Sequence, residues 1–311
     1  MIITVTVNPA MDKTAEVGRL APGGLNRLDK LVVDVGGKGV NVSKTIAALG
    51  GRTLATGFLG GSAGREIDQV LAATSGIETD FVTIAAPTRT NLKVLTSAEG
   101  ITEFNEPGPV VSVSEVAALT TRLTGLAWEG VIFVMAGSLP GGVGQDLYAQ
   151  LIDAVTSKGA AVFLDADGEA FRQAISAKPT FVKPNRFELT QYFGAPQDLA
   201  LADCVVLCRR LIDQGIKLVT CSLGADGAIF VSADQALHCP GLDITPASTV
   251  GAGDAMVAGL VHAFSQGEDL RQGARLAMAV SAGACLTRGT QPPDRATIES
   301  LLPHVTFTQL Q

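Results

Sequence analysis

The sequence predicts an α/β fold, a mainly parallel central sheet in a three-layer α/β/α arrangement, with a small β-sheet beside it. Three observations predict this. Unbroken apolar runs alternate with amphipathic helical stretches along most of the 311 residues, as strands buried on both faces and joined by helical crossovers do. Two early segments break that alternation with a two-residue period. Turns bearing Gly or Asp recur at strand ends, where open α/β sheets bind ligands.

The first strand is expected at Ile2–Val7; no basic stretch precedes it, so it reads as a strand and not a leader. Further core strands are expected at Thr53–Phe58, Val131–Ala136, Ala161–Asp165, Phe181–Lys183 and Leu218–Ser222. Helical patterns lie between them at Gly39–Leu49, Arg65–Thr74, Ser114–Leu126, Gln145–Ser157, Arg186–Phe193 and Leu201–Gln214. Beyond Ser222 come short strand runs, Ala228–Val231 and Gln235–Cys239, then helices at Gly251–Gln266, Leu270–Thr287 and Asp294–Leu302. Lys13–Arg19 with Leu28–Val35, and Arg89–Thr96 with Thr102–Asn105, carry polar residues at every second position and read as paired short strands. These insertions, about 13–35 and 89–106, are expected to form a lid on a single domain spanning 1–311.

The composition is 47% hydrophobic and 17% charged, enough for a large core. A net charge of −7 without a basic stripe argues against nucleic-acid binding. The longest low-charge run, Leu276 to Thr287, is too short and too rich in Ala and Gly to span a bilayer. Cys204, Cys208, Cys221, Cys239 and Cys285 form no CxxC pair, which fits reduced thiols in a cytoplasm. A soluble cytoplasmic protein with no membrane partner is expected.

Ser248-Thr249-Val250-Gly251-Ala252-Gly253-Asp254 runs straight into the apolar stretch Ala255–Phe264. Free N–H groups at a helix start attract anions, and glycines open the approach. Asp254 in the first turn is either a general base beside an anion hole or a charge that complements the helix dipole; alone, the residues leave both readings level. Gly36-Gly37-Lys38-Gly39 enters a second helix with Asn41 in its first turn, and three glycines around one lysine favour close approach to an anionic ligand. Arg89, Asn91 and Lys93 share one strand face, either a phosphate-and-sugar grip or a solvated side. Asp12 is either an acceptor of polyol protons or a turn residue. Asn185 and Glu188 fit both a water-mediated Mg²⁺ and phosphate site and a capping box. Asp165 and Asp167 bring two more carboxylates to the same edge, with helix capping the fate expected of Asp167. Gly39–Thr45 lacks the glycine a P-loop needs before its Lys-Thr, and Gly57–Gly64 does not give GxGxxG in register.

Taken in order, Asn8-Pro9-Ala10-Met11-Asp12, Gly36–Val42, Thr88–Asn91, Gly137-Ser138-Leu139-Pro140, Lys183–Glu188, Ser222-Leu223-Gly224 and Thr249–Asp254 resemble the ribokinase-like sugar kinases of the phosphofructokinase-B type. Within these, Lys38 among the glycines and Phe104-Asn105-Glu106-Pro107-Gly108-Pro109 resemble the 1-phosphofructokinase and tagatose-6-phosphate kinase branch. The resemblance implies a ribokinase-like fold with a β-sheet lid, a homodimer formed through that lid, and ATP-dependent phosphorylation of a sugar phosphate with Mg²⁺. It implies that Asp254 is the base and that Gly251, Ala252 and Gly253 form the anion hole. Asp12, Gly37 and Asn41 would bind sugar hydroxyls. Lys38, Arg89 and Ser138 would contact the existing phosphate, with Arg27 reaching across the lid. Lys183, Asn185, Ser222, Gly224 and Gly227 would serve ATP, and Glu188 would hold Mg²⁺ through water. Asp167 departs from the Ser or Thr usual at its position, so that turn's role does not transfer directly.

Overall fold

β1 (Ile2–Thr6) opens the chain as an unbroken buried run, followed by β2 (Ala10–Val17) and β3 (Lys30–Gly36). Next come α1 (Lys38–Ala48), β4 (Thr53–Leu59), α2 (Gly61–Ala72), β5 (Ile77–Thr79) and β6 (Val82–Thr83). β7 (Arg89–Thr96) and β8 (Gly100–Asn105) precede α3 (Val113–Leu126) and β9 (Ile132–Ala136). The alternation then runs α4 (Leu147–Thr156), β10 (Ala161–Asp165), α5 (Gly168–Ile175), β11 (Phe181–Val182), α6 (Arg186–Phe193), α7 (Leu201–Asp213) and β12 (Leu218–Ser222). β13 (Ala228–Ser232), β14 (Ala236–Cys239), α8 (Ala252–Ser265), α9 (Leu270–Cys285), α10 (Arg295–Leu301) and β15 (Thr308–Leu310) complete the chain. The structure, a computed structural model, describes residues 1–96 and 100–310; 97–99, within the insertion expected at 89–106, lie outside the described residues.

The large sheet has the order β15-β14-β13-β12-β11-β10-β9-β1-β4-β5, with β6 also on β4. From β12 to β5 and β6 every pairing is parallel, whereas β12 through β15 pair antiparallel. Alternation along β9 sends Phe133 and Met135 into one core, with Leu119, Leu151 and Ile175. Val134 and Ala136 enter the other, with Val257, Leu260 and Val280. Helices therefore cover both faces, and the ends of the parallel strands remain the open edge.

A separate sheet of order β3-β2-β7-β8 stands apart from the large one. β2 begins at Ala10, three positions before the expected Lys13, because it continues almost directly from β1. Across it, Asp34, Asp12, Asn91 and Asn105 align in register. Side chains alternate along strands, so this polar row takes one face. Val33, Leu92 and Phe104 take the other and are exposed. No helix among the described residues is long and apolar enough to cross a membrane.

Candidate active site

Asp254 stands in the first turn of α8, behind Gly251, whose left-handed backbone (φ 83°) favours glycine. Among the described residues no side chain caps this helix start; the Ala252 N–H turns back to the Thr249 carbonyl at 3.4 Å, and the next N–H groups, of Gly253 and Asp254, are the ones a ligand could take. The Asp254 carboxylate is buried and accepts a hydrogen bond from Asn41 Nδ2 at 2.8 Å. Burial first, then the nearby charge of Asp165, pushes this carboxyl up to about 6; the Asn41 bond and the Lys38 and Lys183 ammonium groups pull the other way. A carboxylate so placed is deprotonated at neutral pH yet basic enough to take a hydroxyl proton.

Lys38 and Lys183 converge on Asp165, at the end of β10. Lys38 Nζ lies 3.0 Å from Asp165 Oδ1 and Lys183 Nζ 3.2 Å from Oδ2. Burial would raise the Asp165 carboxyl, but the lysines outweigh it and hold it below the ordinary carboxylate range. Burial likewise opposes charge on Lys38, yet Asp165, Asp254 and Glu188 together keep its ammonium above its usual value. Gly37 precedes Lys38 with φ 115°, and a Cβ there would stand 2.8 Å from Thr6 Cγ2. Only glycine brings α1 this close to β1.

On the small-sheet side, Asn91 Nδ2 donates to Asp12 Oδ1 at 2.9 Å, and Lys93 Nζ lies 3.7 Å from Asp12 Oδ2. Arg89 donates to the carbonyls of Glu106 and Asn8, at 3.0 and 3.1 Å, and burial lowers its guanidinium. Asn8 Nδ2 in turn donates to Ser138 Oγ at 3.2 Å. The amide oxygens of Asn8, Asn41 and Asn91 are buried without a hydrogen-bond partner among the described residues. Buried polar atoms are rarely left so, and donors on a polyol would satisfy them. Arg27 is not brought to this group: it is exposed in the turn between β2 and β3, with no hydrogen bond or ion pair among the described residues.

Across Asp254 lies a cleft of about 410 Å³, lined by Asn185, Ser222, Gly224, Gly227 and Gly253 together with Leu242, Met256 and Met278. Its polar rim and apolar floor suit a small organic ligand. Asn185 and Glu188 form a true capping box: Glu188 N donates to Asn185 Oδ1 at 2.8 Å, and Asn185 N to Glu188 Oε2 at 2.9 Å. Burial raises the Glu188 carboxyl, opposed by the Asn185 backbone bond and Lys183. Among the described residues no cluster of three or more His, Cys, Asp or Glu could hold a metal. Asp167 occupies the N-cap position of α5, but its side chain makes no cap hydrogen bond, contrary to the expected role. A separate cavity of about 440 Å³ beside Lys44 and Asp34 takes in none of the predicted site residues.

A family model for pfkB family carbohydrate kinases matches residues 5–297. This chain belongs to the pfkB family of carbohydrate kinases. It is a phosphotransferase with an alcohol group as acceptor. A 1-phosphofructokinase from Rhodobacter capsulatus is 38% identical, covering 99% of this chain and 98% of the relative. The structure of phosphofructokinase-2 from Escherichia coli in complex with fructose-6-phosphate superposes with a TM-score of 0.90 at 28% identity, covering 97% of this chain and 98% of that one. A ribokinase from Thermotoga maritima, at 18% identity and a TM-score of 0.77 over 97% of this chain and 99% of its own, shows the shared ribokinase-like fold.

Asn91 and Lys93 lie on the strand face that the sequence offers as either a phosphate-and-sugar grip or a solvated side, and both meet Asp12. Asp165 ends a strand at the same edge, but nothing local to it shows which lysines it meets, and the sequence assigns Asn8 no role beyond its place in the Asn8–Asp12 motif.

Proposed function

We propose that this kinase transfers the γ-phosphoryl group of ATP to the free terminal hydroxyl of fructose 1-phosphate, giving fructose 1,6-bisphosphate and ADP. One observation carries the reading. The buried Asp254 carboxylate stands at a helix start without a side-chain cap, whose Ala252 and Gly253 line a cleft suited to a nucleotide, and it is held by Asn41, whose own amide oxygen is left for a polyol donor. The name of the Rhodobacter capsulatus relative supports the choice of sugar phosphate.

In the proposed reaction Asp254 accepts the hydroxyl proton as the sugar oxygen bonds to the γ-phosphorus. The bond from that phosphorus to the β–γ bridging oxygen breaks, and ADP leaves with its electron pair. The Gly251, Ala252 and Gly253 backbone meets the negative charge that builds on the transferring group. Asp12, Asn41 and Gly37 orient the sugar, with Lys38, Arg89 and Ser138 near its existing phosphate and Arg27 approaching as the lid moves. Lys183, Asn185, Ser222, Gly224 and Gly227 hold ATP. Glu188 has one carboxylate oxygen outside its capping box, which fits Mg²⁺ carried by the ATP phosphates and met through water, where it would neutralise charge.

Residues 1–311 are proposed to act as one domain, with the small sheet as a lid that brings Asp12 to the sugar and excludes water. The exposed Val33, Leu92 and Phe104 face of that lid is the proposed contact with a second copy; a monomeric mass by light scattering would refute this. The reaction is tested by ADP release with fructose 1-phosphate, tagatose 6-phosphate and fructose 6-phosphate. The highest kcat/KM is expected for fructose 1-phosphate. A higher value for either of the others reassigns the substrate, and no ADP release with any of them points to a non-catalytic sugar-phosphate sensor.

A further inference from the structure

Asp165 takes no part in the chemistry above, yet it sits at its centre. Its side chain is 2% exposed, and each carboxylate oxygen meets a different lysine. The two cations come from different elements, one beside each proposed subsite. Lys38 opens α1, one residue after Gly37 and three before Asn41, on the side assigned to the sugar. Lys183 follows β11, and its Nζ lies 3.2 Å from where a Cβ on Gly253 would stand, at the anion-hole helix and beside the nucleotide cleft.

A buried carboxylate needs only one cation to be neutralised, and buried ion pairs are weak evidence of a purely stabilising role. A second lysine leaves the triad with one excess positive charge, which faces the nearby Asp254 carboxylate. Neither lysine has another carboxylate ion pair among the described residues. Because each holds a different oxygen, what happens to one sets how strongly Asp165 retains the other.

We propose that Asp165 is a positioning residue that couples the two substrate subsites by holding Lys38 and Lys183 on opposite oxygens of one carboxylate, so that a phosphate claiming one lysine changes the hold on the other. The proposal rests on the kinase reading above.

The test uses the full-length protein, with the ATP and sugar-phosphate concentrations varied separately and thermal melting recorded for each variant. Asp165→Asn is expected to raise both KM values by about tenfold, because both lysines lose their anchor. A cooperatively folded Asp165→Asn protein with either KM unchanged overturns the proposal. Removing a carboxylate from between two buried lysines is disruptive, so Lys38→Met supplies a second arm that keeps Asp165. There the KM for the sugar phosphate rises. The KM for ATP is also expected to rise, by about threefold, since Asp165 then draws on Lys183 alone. A purely structural ion pair predicts no such effect across the site, and an unchanged ATP KM in folded Lys38→Met overturns the proposal. Failure of the kinase reading is separately visible, as a wild-type protein that releases no ADP with any sugar phosphate.

Discussion

Two helices begin at the same edge of the sheet and are finished in opposite ways. α6 closes its own N-terminus: Asn185 and Glu188 exchange side-chain and backbone hydrogen bonds. α8 has no side-chain cap, begins on a left-handed glycine, and buries Asp254 in its first turn. A cap contributes about 1 kcal/mol to a helix, and α6 takes that gain locally. α8 has no such side-chain cap among the described residues, and only its Ala252 N–H is taken up, by the Thr249 carbonyl. Under the proposed reaction, the capped start serves its own helix and the uncapped one serves the chemistry. Asn185 nevertheless also lines the cleft, so a closed cap and a contact with a ligand are compatible.

The sharpest way to break this comparison is Asp254→Asn. Turnover is expected to fall by at least ~100-fold, measured as kcat for ADP release, and near-normal turnover would remove Asp254 from its role. The carboxyl has an ordinary value of 3.8 and lies near 6 in the folded protein. Wild-type kcat/KM should therefore decline as pH falls through about 6, as the base is protonated, and any residual Asp254→Asn activity should lack that limb. The sign for stability is equally fixed. The folded state holds this proton more tightly than the unfolded chain does, so ionisation costs stability as pH rises from the unfolded value to about 6, and the cost persists above it. Asn carries no such charge, so the variant should melt no lower than wild type at pH 8.

The parts of this molecule legible in sequence were those whose signal is local. β12 occupies Leu218–Ser222, as its unbroken apolar run predicts. The Gly251–Asp254 turn and the Asn185–Glu188 spacing each fit inside one helical turn. β5, β6 and β15, of two or three residues each, carry no periodicity to detect. α2 begins at Gly61 and not at the expected Arg65. The glycines there read as a loop, but Gly64 is where the helix meets Leu59 and Thr88 at close range. The site was least legible where a contact crosses the fold. Asp165 and Lys38 are 127 positions apart, and only the parallel order of β1, β9 and β10 brings their ends together.

The smallest expected effect decides whether α6 is as closed as its cap suggests. Glu188→Gln keeps the capping box, because Gln at this position also accepts from the N-cap backbone, so the melting temperature should stay close to that of wild type. It removes the negative charge that a hydrated Mg²⁺ would meet. If Glu188 serves the metal, the Mg²⁺ concentration for half-maximal ADP release should rise by several-fold to about tenfold, with kcat at saturating Mg²⁺ much less affected. If its carboxylate only caps the helix, neither measurement should move. The substitution separates the two roles because Glu and Gln are equivalent as hydrogen-bond acceptors for a helix N-terminus and differ in charge toward a cation.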